Sequence, residues 1–168
     1  MSSTATSSVN QKTGTFFERH AWKVFLGMSL IIALFGLGDV IMGGSTFKTG
    51  EAPTLQGITG MTWQELGTES PQVANLIDYL VRLGGAHLLV VGVLSTLVSL
   101  TAFRQGERWA WYAMWIWPLW IALILPILLK AYKQPGPSVP PPLISGPIFF
   151  ALSVLTLGLS YRKFLRKH

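Results

Sequence analysis

The chain has 168 residues, 50% of them hydrophobic and only 12% charged, with seven tryptophans, a formal net charge of +6 and no cysteine. So small a charged share falls well below that of an ordinary soluble domain, and the missing thiols exclude disulfides, thiolate metal sites, thiol redox relays and S-palmitoylation. The positive charges flank apolar runs instead of gathering into one patch, so no nucleic-acid partner is expected.

Residues 1–23 read as a flexible polar tail ending in an approach to the membrane, where Phe16, Phe17 and Trp22 alternate with Arg19, His20 and Lys23. The apolar run 24–42 follows. At about 1.5 Å per residue it just reaches across a hydrocarbon core of about 30 Å. It is too long for a signal-peptide core and no A-x-A-like site follows, so it reads as an uncleaved first span.

Residues 43–82 form the one sizeable loop between spans. The stretch 43–60, rich in Gly, Ser and Thr, reads as irregular. Thr62 with Glu65 three residues on predicts a capping box, one helical turn over 63–66 and a stop at Gly67. Ser70 before Pro71 marks another helix start. From there Val73, Leu76, Ile77, Leu80 and Val81 recur at three and four, predicting a short amphipathic helix that lies on the membrane or leads into the next span. Asp78 and Arg82 stand at i, i+4 with the acid first, the favourable order.

The second span covers 83–103 and opens on Gly84-Gly85, which permits a bend or a close helix contact. The turn from Arg104 to Arg108 is so short that helices two and three are expected to be antiparallel neighbours. The third span, 109–129, holds five tryptophans, and Pro118 and Pro126 predict a kink. Five prolines over 130–142 suggest an extended connection. The fourth span covers 143–161, with Pro147 in its first turn, and residues 162–168 are a basic tail.

The architecture expected is therefore all-α, an integral membrane bundle of four transmembrane helices with a 40-residue extracytoplasmic loop. Lys and Arg beside the spans number nine on the side of the termini and four on the side of the long loop. The positive-inside rule then places both termini in the cytoplasm and the protein, multi-pass, in the cell membrane.

Two segments, GITGMTWQELGTESPQVANLIDYLVRLGGA and TAFRQGERWAWYAMWIWPLW, carry a resemblance. With its G-M-T-W stretch before a helix and its R-x-G-E-R-W-A-W turn, the chain resembles an uncharacterised family of small prokaryotic four-helix membrane proteins. The resemblance spans roughly residues 57 to 120. It implies the fold and brings no activity.

Asp39 is the one acid inside a span, and His87 sits at nearly the same depth, with Arg82 at the same end. Together they form a candidate polar cluster, able to bind a ligand or pass a proton. The competing reading leaves Asp39 wet at headgroup level and His87 packed on a carbonyl. Trp111, Trp115, Trp117 and Trp120 form a candidate face for a flat apolar ligand or for helix packing, against the alternative of an interfacial belt. A haem between two histidines would need two at one depth, but His20 and His168 fall on the side opposite His87, and a zinc or di-metal site, a P-loop and a G-x-S-x-G nucleophile lack their residues. No catalytic residue and no cofactor can be named.

Two functions remain. One is a non-catalytic accessory or structural subunit of a larger membrane complex or homo-oligomer, packed through small residues such as Ser29, Ala33, Gly84, Gly85 and Gly92. The other is a binder, transporter or enzyme for an apolar or proton-coupled small molecule, using the Asp39 cluster or the tryptophan face.

Overall fold

A computed structural model describes residues 16–49, 51–132 and 139–165, with side chains from Arg19 onward. The expected flexible tail up to residue 15, residues 133–138 of the proline-rich connection and the last three residues lie outside the described residues; of the rest of that connection, Lys130, Ala131, Pro141 and Pro142 are helical, not extended. Among those described, the chain is helical and has no strand.

The elements are α1 (Phe16–Met42), a 3₁₀ segment (Gly43–Lys48), α2 (Ala52–Thr59), α3 (Trp63–Glu69), α4 (Pro71–Val98), α5 (Arg108–Ala113), α6 (Ile116–Ala131) and α7 (Pro141–Leu165). The π-helical turn Ser99–Phe103 extends α4. Four stretches, Arg19–Lys48, Pro71–Phe103, Arg108–Ala131 and Pro141–Leu165, are long and apolar enough to cross a membrane. Their flanks carry large apolar side chains in the open, among them Leu34, Ile41, Leu123 and Ile127, each about two-thirds exposed. A water-facing protein does not leave such a band uncovered.

Residues 43–60 are helical, not irregular. Pro53 sits inside the first turn of α2 and Gly60, with φ of +76°, closes it in the left-handed conformation. Proline at the start and glycine past the end are the signals of a short helix. The capping box forms as expected, with Thr62 accepting from the Glu65 amide at 3.2 Å and Glu65 accepting from the Thr62 amide at 2.7 Å. The helix it starts runs through Gly67 to Glu69, because nothing at Gly67 demands a positive φ. The amphipathic segment is not a separate helix. It forms the first turns of α4, which passes through Gly84-Gly85 unbroken.

The third span breaks once, between α5 and α6, at Met114 and Trp115. Pro118 has no amide to give the Met114 carbonyl, and the Trp117 amide takes that carbonyl instead at 3.2 Å. Pro126 lies inside α6 without breaking it.

Helix α1 packs along α4, α7 packs against both α1 and α6, and α6 has no packed seam with α4. The short turn thus joins helices two and three only at the turn itself, where α5 meets the π segment. Along its length the third span leans on the fourth. The α1–α4 seam is close because its contact residues are small. A Cβ at Gly92 would meet the Ala33 backbone nitrogen at 2.7 Å, and one at Gly85 would meet Gly36 O at 2.8 Å.

The main core gathers toward the end that holds the start of α1, the end of α4 and the end of α7. Phe103 is fully buried there, with ring centroids 5.1 Å from Phe25 and 4.6 Å from Phe164. Trp111, Met114 and Trp117 join the same core from the third span. At the opposite end Leu55, Leu66 and Ala74 form a small second core with Phe47, Met61, Trp63 and Ile77. The ring of Tyr132 lies over Gly57, where any Cβ would strike it. The loop is thereby folded onto the helix ends as a cap.

Candidate functional site

Asp39 and the start of α4 do meet. Gly85 is buried against Asp39, so that a Cβ at Gly85 would come 2.5 Å from the Asp39 Cβ. Asp39 is half-buried, and among the described residues its carboxylate has no hydrogen bond or counter-ion. It does feel the field of Glu51, a second acid in the loop.

His87 does not join it. Two residues along a helix is a turn of about 200°, so with Gly85 facing α1 the imidazole of His87 points away from the bundle. His87 is exposed, and its Nδ1 lies 2.7 Å from the Leu83 carbonyl of its own helix. Gly84, Ala86, Val90 and Leu94 are exposed on the same outward side.

Arg82 is engaged elsewhere. Its Nε donates to Asp78 Oδ2 at 2.8 Å, and its Nη1 donates to the carbonyls of Val40 at 2.7 Å and Ile41 at 3.0 Å. Asp78 in turn accepts from the Gly44 amide at 2.7 Å. The guanidinium thus covers the last carbonyls of α1, where the helix dipole favours a cation, and the carboxylate orders the chain just beyond. Gly43, with φ of +53°, lies so close to the Asp78 and Arg82 side chains that no Cβ fits. This clasp of Gly43, Gly44, Asp78 and Arg82 escapes sequence reasoning because its backbone half carries no polar side chain. The i, i+4 pair was its one visible sign.

The four tryptophans do not share a face. Trp111 is buried and donates its indole Nε1–H to the Leu157 carbonyl at 3.0 Å, tying α5 to α7. Trp117 is buried in the core, Trp120 is partly exposed beside it at 6.4 Å between centroids, and Trp115 faces outward. Trp111 and Trp115 do contact edge to face at 5.8 Å.

Inside the bundle most hydroxyls are spent on their own helices, Ser99 on Ser95 O at 2.7 Å and Ser160 on Thr156 O at 2.6 Å. Ser29 Oγ, Thr96 Oγ1 and Trp117 Nε1 are buried and find no hydrogen-bond partner among the described residues. Among the described residues no three His, Cys, Asp or Glu side chains are grouped to hold a metal ion.

No family model, curated protein or solved structure matches the chain. Its chemistry has to be argued from its own residues.

Proposed function

We propose that the chain is a multi-pass protein of the cell membrane, with both termini in the cytoplasm, that acts as an accessory or structural subunit. Its four helices would pack against other membrane helices, in a larger complex or in a homo-oligomer. The exposed apolar flanks and the excess of Lys and Arg beside the termini support the membrane placement.

The observation that carries the subunit reading is His87. Its Nδ1 is already bonded to the Leu83 carbonyl of its own helix, so it is Nε2 that remains for a polar group of a neighbouring helix. Gly84, one turn before it, is exposed with nothing within 4 Å of a Cβ position, which leaves room for a second helix to come close. Ser29, Ala33, Gly85 and Gly92 are already used inside the chain, so Gly84 is the small residue of that group still open to a partner.

The cysteine-free sequence makes the test direct. Gly84→Cys, oxidised in native membranes, is expected to give a disulfide-linked dimer where the partner is a second copy, and a mild-detergent pull-down is expected to recover a stoichiometric partner where it is another chain. His87→Leu is expected to weaken that association. A monomer with no cross-link and a co-purifying small molecule would sink the subunit reading.

Asp39 supports the second reading, a small-molecule or proton-coupled site. A half-buried carboxylate with no counter-ion is a place where a cationic ligand or a proton can be held. Under that reading Asp39→Asn abolishes binding or transport, and no cross-link forms at residue 84.

A further inference from the structure

Near the start of α1, Trp22 is flanked by two cations. Lys23 Nζ lies 5.7 Å and Arg104 Cζ 5.2 Å from the centroid of its ring, both within cation–π reach. The ring is held in place, because Trp22 is partly buried against the core that contains Phe25 and Phe103.

An arginine at the end of a helix is usually balanced by the last carbonyls of that helix. Here another side chain occupies them. Lys163 Nζ, arriving from α7, donates to Phe103 O at 3.3 Å and to Arg104 O at 3.0 Å. The carboxylate–guanidinium pair of Asp78 and Arg82 is at the opposite end of the bundle. Lys23 and Arg104 are both exposed, and among the described residues neither has a carboxylate partner. Two cations therefore converge on one fixed aromatic ring, and a third caps the end of the helix that carries Arg104.

We propose that Lys23, Arg104 and Trp22 form a headgroup site for an anionic phospholipid. The phosphodiester accepts from the ammonium and the guanidinium, and the indole sets the depth at which the headgroup rests. Below the cations the surface is suited to acyl chains. Leu30, seven residues along the same face of α1 from Lys23, and Leu100, one turn before Arg104, are both exposed. The site rests on the reading of the four helices as membrane spans, but not on the existence of a partner subunit.

The full-length protein, reconstituted into phosphatidylcholine vesicles doped with phosphatidylglycerol, is extracted in mild detergent, and retained lipid is measured by native mass spectrometry. The wild type is expected to keep phosphatidylglycerol in preference to phosphatidylcholine. Lys23→Gln with Arg104→Gln is expected to cut that retention at least about tenfold, as befits two charges at a lipid surface. Single Lys23→Gln, an exposed change that leaves the core intact, should give part of the loss. Lys130→Gln, at the other end of the bundle, should change nothing. Equal retention of both lipids by the wild type, or an unchanged double variant, overturns the site. An equal loss from Lys130→Gln overturns it too, since any cation then serves. A chain that fails to float with either vesicle overturns the membrane reading beneath it.

Discussion

Gly84 and Gly85 are neighbours with opposite surroundings. Gly85 is pressed against Gly36 O and Val40 N, whereas Gly84 has nothing within 4 Å of a Cβ position. Gly85→Ala is therefore expected to destabilise the bundle by about 1–3 kcal/mol through overpacking. Gly84→Ala is expected to be neutral or to gain up to about 1 kcal/mol from helix propensity. Thermal unfolding of the two variants in the same detergent gives the comparison, and equal shifts would mean that the α1–α4 seam is not built on Gly85. A second residue-scale expectation concerns pH. The amide and hydroxyl of Thr62 hold the Glu65 carboxyl below the usual carboxylate range. A group with a depressed folded pKa gives its full stabilisation above its unfolded value, about 4.3, and loses it as pH falls through the folded value. The protection factors of the amides at the start of α3, with the intrinsic pH dependence of exchange divided out, should therefore stay constant near neutrality and fall in acid. Glu65→Gln should remove that acid step.

At the scale of elements, the four spans are legible because an apolar run of about 20 residues has few other uses. The loop was harder to read. Residues 43–60 carry the composition of a coil, yet Pro53 and Gly60 bracket a helix and Leu55 gives it a small core to join. Gly67 misleads in the other direction, since a glycine ends a helix only where the chain turns left-handed, as at Gly60 and Gly106. The break in the third span was foreseeable in kind, but not which proline would cause it. Pro118→Ala restores an amide to the Met114 carbonyl and is expected to straighten the span, drawing Trp111 away from Leu157. Spin labels at residues 109 and 161 should then move apart, and an unchanged distance would assign the break to packing instead. Trp111→Phe, which removes the indole donor together with some buried ring volume, is expected to cost about 1–3 kcal/mol in the same unfolding measurement.

For the whole molecule, position along the bundle axis is legible in the sequence and azimuth is not. Counting residues from the span ends matched Asp39 with the start of α4, where Gly85 does touch it. The same count matched His87, which a shift of two residues turns to the far side of its helix. Turn length likewise reveals which helices adjoin in the chain, not which ones pack along their length. Membrane orientation has a direct check. A cysteine placed at Gln56, in α2, should react with an impermeant maleimide from outside intact cells, and labelling only after lysis would reverse the topology. The packing order also bears on how the chain is made. Helices α1 and α4 come off the ribosome as a complete hairpin, but α5 and α6 then have no long seam to settle against until α7 has been synthesised. The last helix is thus the keystone. A chain released before residue 141 should keep its first hairpin and leave its third span to the quality-control proteases, so that the final stretch of translation decides whether the tryptophan-rich helix is kept or destroyed.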